Sequence, residues 1–182
     1  MGISTKYTHA DLLAIPDDGK RREILDGEMI VSPSPKLFHQ TIVLRLALAL
    51  GKYLESHPIG KLFIAPLDVI LSELDVLQPD LLLVLNERLW ILQDWVRGAP
   101  DLVIEVLSAS TMTNDRGPKL KAYARFGVPE CWIVDPEANA IEVYRMALQE
   151  YRLSQIFGEH ETLTSTLLPG FMLPVADVFR VE

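Results

Sequence analysis

Apolar residues follow two patterns along this chain, a helical spacing and short continuous runs, and the two patterns predict different elements. Over residues 37–56 the spacing of three and four residues places Ile42, Leu46 and Leu50 on one face, which predicts a long amphipathic helix. Short apolar runs without that spacing predict buried strands. The elements predicted after the long helix are strands over 62–71, 79–85 and 100–108, a helix over 113–127, and strands over 131–136 and 141–145.

Both ends of the chain add further elements to this series. Residues 10–21 predict a short helix and a turn, and Asp26-Gly27, flanked by alternating apolar residues, predicts a hairpin over 23–32. Residues 163–179 predict a last strand and a terminal helix, whereas the form of residues 87–99 is not predicted. The whole order predicts an α/β fold over one domain, residues 1–182: a mixed central sheet flanked by helices (α-β-β-β-α-β), with an N-terminal hairpin.

The composition narrows the classes of protein to which the chain can belong. Its 182 residues are 49% hydrophobic and 23% charged, as in globular proteins. The formal net charge of −8 argues against a protein that coats nucleic acid without specificity. Basic residues nevertheless gather in one short segment, as a solvated helix face or a contact for a nucleic-acid backbone: Arg116, Lys119, Lys121 and Arg125.

The sequence lacks the patterns of membrane and secreted proteins. Arg45 interrupts the apolar run at 42–51, which is far shorter than the ~18 residues of a membrane span. The first residues lack the basic and then apolar pattern of a secretion signal. The single cysteine, Cys131, provides no disulfide framework and is expected in the core. We therefore expect a cytoplasmic protein without a membrane partner.

Two carboxylates lie inside strand-like runs, and a lysine opens the helix that follows. Asp80 in VQPDLLLVL and Glu105 in PDLVIEVLS are surrounded by apolar residues, where an ionised carboxylate is costly unless it is compensated. If the two strands pair, the two carboxylates can lie close together at one end of the sheet. Mg²⁺ takes one or two carboxylates together with waters and phosphate oxygens. With Lys119 nearby, this pattern indicates a magnesium site and a reaction at phosphate.

The geometry of the helix predicted over 113–127 distinguishes Lys119 from its basic neighbours. At 100° per residue the inward stripe is predicted to be Leu120, Tyr123, Ala124, Phe126 and Gly127. Lys119 borders this stripe and is placed to approach the sheet. Lys121 and Arg125 point nearly opposite and are expected in solvent.

These residues lie in strings that resemble a known family. The arrangement of PD, E and a displaced lysine resembles the PD-(D/E)XK nuclease superfamily. Leu107 occupies the usual place of the lysine, and Lys119 matches the branches that carry it on the next helix. The sequence resembles the Uma-two family of restriction endonucleases more closely, and this resemblance extends from Tyr7 to Phe179. The strings that carry this resemblance are REILDGE, the HQ of the first long helix, VQPDLLLV, GAPDLVIEVLS, DRGPKLKAYARFGVPECWIVDPEANAIEVYR and LPGFMLP.

The resemblance implies roles for individual residues. It assigns Asp80 and Glu105 to metal binding and Lys119 to catalysis. It adds three site neighbours, namely Glu23, Glu28 and His39. Two further matching residues, Asp115 and Tyr123, are interpreted as structural supports, and Pro118 is expected in the first turn of its helix.

Each candidate also has a purely structural interpretation. Asp80 could start its strand at an exposed end, Glu105 could form a buried ion pair, and Lys119 could extend along the surface into solvent. The three site neighbours could be ordinary surface residues of the helix and hairpin. Asp101 competes with Asp80, but it lies on the strand of Glu105 at a distance of roughly 13 Å, too far to share one ion. The three tryptophans are expected to pack in the interior: Trp90, Trp95 and Trp132.

The resulting hypothesis is a Mg²⁺-dependent endonuclease, with Mn²⁺ as a substitute, that hydrolyses phosphodiester bonds in DNA. A homodimer is expected, because two sites could then cut both strands of a duplex. The alternative from another class is a catalytically silent, dimeric interaction protein that keeps the nuclease fold, as the acidic composition also allows. Hydrolysis of RNA or of a nucleotide is a third option.

Overall fold

The strands form two larger sheets and a small one. The computed structural model describes residues 6–16, 18–109, 111–148 and 150–180. The helices are α1 (His9–Ala14), α2 (Leu37–Ser56), α3 (Met112–Asn114), α4 (Leu120–Arg125) and α5 (Val175–Phe179), with a 3₁₀ helix at Asn86–Ile91 and a π-helical turn at Asp115–Lys119. The strands are β1 (Arg21–Leu25), β2 (Glu28–Ser32), β3 (Gly60–Ile64), β4 (Val69–Ser72), β5 (Asp75–Leu77), β6 (Leu81–Leu85), β7 (Val96–Arg97), β8 (Leu102–Val106), β9 (Glu130–Asp135), β10 (Ala140–Ala147), β11 (Glu150–Phe157), β12 (Thr162–Thr164) and β13 (Met172–Pro174).

The central sheet has six strands in the order β11-β10-β9-β8-β6-β3. Only β8 and β9 run parallel, and the segment between them crosses over through α3 and α4, as a parallel pair requires. The other neighbouring pairs are antiparallel. This arrangement confirms the predicted mixed central sheet flanked by helices.

Alternate residues of β6 and β8 enter two different cores, as the strand alternation predicts. One face packs against α2 and α5, and the other packs against α4 and the second sheet. The β6 and β8 residues of the first core are Leu81, Leu83, Leu102, Ile104 and Val106. Those of the second core are Leu82, Val84 and Val103. Since both faces are covered, a carboxylate in these strands is removed from solvent.

The second sheet has five strands in the order β2-β1-β5-β4-β7 and contains the predicted hairpin. Asp26 and Gly27 both have positive φ, of 52° and 81°, as a tight two-residue hairpin turn requires. The hairpin joins the rest of the sheet through Ile24, which pairs with Val76. It therefore brings β1 against the strands that lead into β6.

The run at 62–71 was predicted as one strand, and this prediction is wrong. The run contains Pro66, which cannot donate to a ladder, and it divides into β3 of the central sheet and β4 of the second sheet. At the start of β3, Gly60 is needed because a Cβ there would lie 2.5 Å from the carbonyl oxygen of Val84. The unassigned stretch at 87–99 forms most of the 3₁₀ helix and β7.

The helix predicted over 113–127 begins earlier and has a different inward face. Helical structure starts at Met112, and Pro118 lies inside the π-helical turn and not in a first turn. The π turn tolerates the missing N–H of proline and shifts the phase of the helix. The buried residues are Asp115, Lys119, Ala122 and Tyr123, whereas Gly127, predicted to face inward, is exposed. Gly127, at φ 79°, follows the helix end as predicted.

Several predictions about single residues are settled by burial. Cys131 and Trp132 are fully buried, as expected. Trp90 is 71% exposed, so its expected packing in the interior is wrong; it lies on the outer side of the short 3₁₀ helix. Within the described ranges, no helix is long and apolar enough to cross a membrane.

Candidate functional site

Asp80 and Glu105 face each other across two neighbouring strands. In the antiparallel pair of β6 and β8, Leu81 lies opposite Ile104, which places Asp80 opposite Glu105. The N–H of Val106 donates to Oδ2 of Asp80 at 2.8 Å. Both carboxyl groups are buried. The structure therefore brings together the two acids that alternation predicted, and neither lies at an exposed strand end.

Lys119 reaches this pair from the π-helical turn. Its Nζ lies 3.2 Å from Oε1 of Glu105 and 3.3 Å from Oδ1 of Asp115, four residues earlier. Its side chain is 3% exposed. Because the π turn puts Asp115 and Lys119 on the same inward face, the lysine does not extend into solvent.

The hairpin contributes a third carboxylate. Oε1 of Glu23, on β1, lies 2.9 Å from Nζ of Lys119 and accepts the N–H of Gln78 at 2.7 Å. Glu23 is 1% exposed, so the interpretation of this residue as a hairpin surface residue does not hold. Lys119 is thus surrounded by Glu23, Glu105 and Asp115, all within 3.3 Å.

Asp80 is held by two further side chains. NH1 of Arg21 donates to Oδ1 of Asp80 at 3.0 Å, and Nε2 of His39 lies 3.2 Å from Oδ2. His39 belongs to the first turn of α2, which packs on the central sheet. The side chain of His39 is 10% exposed, so this helix residue is part of the cluster.

Two residues of this cluster go beyond what the sequence patterns predict. Arg21 was not predicted at all, although it lies two residues before Glu23 on β1 and therefore on the same side of that strand. Tyr123 was expected to be only a support, yet its hydroxyl donates to Oε1 of Glu105 at 2.6 Å. Asp115 and Tyr123 lie four residues before and after Lys119, and this spacing was the signal that could have identified them.

Other candidates lie outside the cluster. Glu28 is exposed beside the hairpin turn, opposite Leu25, and the structure does not bring it to the acids. Asp101 pairs with Arg88 at 3.1 Å and accepts the N–H of Leu85. It has a structural role at the far end of β6 and β8.

The basic segment at 116–125 is only partly a solvated helix face. Arg116 pairs with Asp135 and Glu142. Arg125, expected in solvent, pairs with Asp26 and Asp75 at 2.8 and 2.7 Å. Lys121 is exposed, as expected.

Burial and crowding determine the protonation of the cluster. Burial raises the pKa of Glu105 to about 8; the charge of Lys119 opposes this shift, and Asp115 and Asp80 add to it. Burial also raises the pKa of Asp115, against the opposing charge of Lys119. In the metal-free protein, burial therefore favours the protonated form of Glu105.

Asp80 and Lys119 remain charged. Burial would raise the pKa of Asp80, but the contacts with His39 and Arg21 outweigh burial and hold this pKa below its usual value. Burial would lower the pKa of Lys119, but the nearby carboxylates, Glu105 first among them, raise it. Lys119 is consequently a permanent cation at physiological pH.

The cluster opens on a cavity of about 420 Å³. Arg21 and His39 form part of its wall on the side of Asp80. The remaining polar wall residues are Ser32, Ser34, Lys36, Ser108, Thr111, Asp135 and Glu137. The acids are buried but adjacent to a space that a ligand can enter.

Comparison with known proteins identifies the family. The family model Uma2, described as "Putative restriction endonuclease", matches residues 9–176. A crystal structure described as a "putative nuclease belonging to DUF820" from Anabaena variabilis ATCC 29413 superposes with a TM-score of 0.79 at 20% identity, over 94% of this chain and 97% of that one. That likeness shows the fold. Comparison with curated proteins found no match. Since the family model covers nearly the whole chain, the protein belongs to the Uma2 family.

Proposed function

We propose that this protein is a metal-dependent endonuclease that hydrolyses phosphodiester bonds in DNA. The observation that carries the proposal is the meeting of Asp80 and Glu105 on paired strands, with Nζ of Lys119 at 3.2 Å from Glu105. Membership of a family described as "Putative restriction endonuclease" supports it. Fold alone would not, because one fold hosts many functions.

Asp80 and Glu105 are the residues that would hold Mg²⁺ or Mn²⁺. Among the described residues, no three His, Cys, Asp or Glu side chains are grouped as metal ligands. Mg²⁺ does not need such a group, because waters and substrate phosphate oxygens complete its shell around one or two carboxylates. When bound, the ion would lower the pKa of a water and neutralise charge on the phosphate.

The charge of the cluster suits a divalent cation. Among the residues that the structure describes, four buried carboxyl groups face two permanent cations, Lys119 and Arg21. A bound divalent cation favours the ionised form of these carboxyl groups, and in that form their negative charge exceeds the positive charge of Lys119 and Arg21. The four carboxyl groups belong to Glu23, Asp80, Glu105 and Asp115.

Lys119 would act through its charge. As a cation with a raised pKa it does not accept a proton from water near neutral pH. It would instead stabilise the negative charge that develops on the phosphate, or position the attacking water. Glu23 and Asp115 hold the ammonium group in place for either task.

The test combines binding and cleavage. Mn²⁺ is titrated calorimetrically into the wild type, Glu105→Gln and the matched control Glu28→Gln, and each protein is incubated with plasmid DNA. We expect one Mn²⁺ per chain and DNA cleavage in the wild type and the control, and neither in Glu105→Gln. Unchanged Mn²⁺ binding in Glu105→Gln would contradict the assignment of the site.

The rival function is an interaction protein without catalysis. It is favoured by the contacts of Asp80, whose two oxygens already engage Arg21, His39 and the N–H of Val106. A wild type that binds neither Mn²⁺ nor Mg²⁺, with or without DNA, would support this rival. Parallel incubations with single-stranded DNA and RNA distinguish the proposed substrate from RNA.

We also propose that the enzyme acts as a homodimer in the cytoplasm. Two copies would carry two sites, as cutting both strands of a duplex requires. Sedimentation analysis with and without duplex DNA tests this arrangement. A monomer under both conditions, together with cleavage of both strands, would contradict the dimer and leave the chemistry intact.

A further inference from the structure

Arg21 is incompletely bonded for a largely enclosed arginine. NH1 donates to Oδ1 of Asp80 at 3.0 Å, whereas NH2 lies 3.9 Å from Oε1 of Glu23. Within the described part of the chain, the buried Nε has no hydrogen-bond partner. A guanidinium group carries five N–H donors. Arg21 therefore retains donor capacity beyond the bond to Asp80.

The largely apolar wall of the cavity beside Arg21 carries a few groups that can bind an anion. Lys36 and the hydroxyl-bearing residues Ser32 and Thr111 belong to it. Of its two acids, Asp135 already pairs with Arg116 at 2.7 Å, and Glu137 is exposed. The side chain of Arg21 is 24% exposed, although most of it is enclosed.

A second atom on this wall also has no partner. Nδ1 of His39 is buried and, among the described residues, forms no hydrogen bond, while its Nε2 contacts Asp80. Arg21 and His39 thus both connect Asp80 to the cavity, and each has one polar atom unused. Buried polar atoms are rarely left unpaired without a reason, and a ligand in the cavity would provide one.

Arg21 and a metal ion compete for Asp80. An arginine is always charged, so Arg21 and a divalent cation repel each other at the distance of a shared carboxylate. A cation at Asp80 would therefore weaken the bond from NH1 to Oδ1. The freed guanidinium group borders this cavity and also a second one of about 380 Å³, which Asp80 lines as well, and His39 and its unpaired Nδ1 lie on the wall of the first.

We propose that Arg21 has two positions: it binds Asp80 in the metal-free protein, and it turns into the cavity to bind a phosphate of the nucleic-acid strand when a cation occupies Asp80. This inference rests on the proposed function. The planar guanidinium group matches two phosphate oxygens, which makes arginine well suited to the second position. Arg21 then competes with the metal ion for Asp80, and it is free to bind a phosphate only after the metal ion is bound.

The first test measures metal binding without any reaction. Mn²⁺ is titrated into the wild type, Arg21→Met and the matched control Arg88→Met, whose arginine pairs in the same way with a buried aspartate, Asp101, outside the cluster. We expect Arg21→Met to bind Mn²⁺ about tenfold more tightly, a change of about 1.4 kcal/mol. Arg88→Met should bind like the wild type.

The second test measures the affinity for a labelled duplex oligonucleotide with Ca²⁺ in place of Mg²⁺. We expect Arg21→Met to bind the duplex about tenfold more weakly (about 1.4 kcal/mol), opposite in sign to its effect on Mn²⁺. A general loss of structure would weaken both. Thermal unfolding checks the fold, and Arg21→Gln replaces the methionine variant if that variant does not fold, with the same two changes expected.

The outcomes separate this inference from the proposed function. Mn²⁺ binding in the wild type that is unchanged in the folded variant overturns the inference and leaves the nuclease proposal standing. Binding only in Arg21→Met supports the inference, because removal of the arginine opens the site. Tighter Mn²⁺ binding with unchanged duplex binding overturns the phosphate-binding position. An absence of Mn²⁺ binding in all variants overturns both proposals.

Discussion

The hydroxyl of Tyr123 donates to Oε1 of Glu105 across 2.6 Å in the interior of the protein. Nζ of Lys119 lies 3.2 Å from the same oxygen. Both contacts converge on one side of the carboxyl group, and they fix its orientation. The tyrosine, expected to be only a support, thereby helps to orient the carboxyl group of Glu105.

Tyr123→Phe should reveal this orienting role. The change removes one buried hydrogen bond and is expected to cost about 1–2 kcal/mol of unfolding free energy. It should also weaken Mn²⁺ binding, because Glu105 becomes free to rotate. The matched control is Tyr144→Phe, whose hydroxyl bonds to Glu142 outside the cluster. Urea unfolding and Mn²⁺ titration of both variants provide the measurement, and equal Mn²⁺ affinities in the two would contradict the prediction.

Lys119→Met should be strongly destabilising in the metal-free protein. It leaves Glu23, Glu105 and Asp115 facing one another without their cation, and breaking a buried ion pair on one side costs about 3–5 kcal/mol. DNA cleavage should be lost. Lys121→Met, two residues away on the exposed side, should change the stability by less than about 0.5 kcal/mol. Urea unfolding compares the two variants, and similar midpoints would refute the central position of Lys119.

The stability of the metal-free protein should fall as the pH rises through neutrality. The pKa of Glu105 is about 8 in the folded protein, against 4.5 as its ordinary value, so the folded state binds the extra proton between these limits and loses that advantage as the pH rises. The raised pKa of Asp115 acts in the same direction. The lowered pKa of Asp80 acts in the opposite direction, but only under acidic conditions.

The measurement for this pH dependence is urea unfolding in the presence of EDTA. We expect the wild type to be less stable at about pH 8.5 than at about pH 5.5, and we expect a smaller difference in Glu105→Gln, which has no proton to release. A difference of the same size in both proteins would show that Glu105 does not carry the effect.

Adding a divalent cation should raise the melting temperature. A ligand that binds only the folded state stabilises it by about 2.7 kcal/mol at one hundred times its dissociation constant. We expect Mn²⁺ to raise the melting temperature of the wild type, EDTA to reverse the change, and Glu105→Gln to show neither. The exposed Glu28→Gln should behave like the wild type, and a loss of the effect in that control would move the metal site away from Asp80.

Local patterns predicted the parts of the fold that have local causes. The turn at Asp26-Gly27, the helix α2 and the alternation in β8 all follow from residues close together in sequence. The approach of Asp80 to Glu105 followed from alternation once β6 and β8 were assumed to pair. Thus the apolar runs and strand alternation indicated Asp80 and Glu105, and the family resemblance indicated the same two acids.

Long-range packing determined what the sequence could not predict. The pairing of Ile24 with Val76 joins segments with no shared local signal, and together with the bond from the N–H of Gln78 to Glu23 it brings Arg21 to Asp80. The phase of the helical segment at 112–125 depends on the π turn around Pro118, which helical spacing does not foresee. For this reason Lys119 was placed at the border of the buried face, although it lies at its centre.

The hairpin that carries Glu23 makes the assembly of the site depend on contacts between distant parts of the chain. Glu23 meets Lys119 only when chain positions that leave the ribosome far apart have come together, and closing such long loops is slow. A partly synthesised or locally folded chain has the two separate acids but no assembled cluster. If the cluster cuts DNA, a chain that has not finished folding does not yet carry the assembled site.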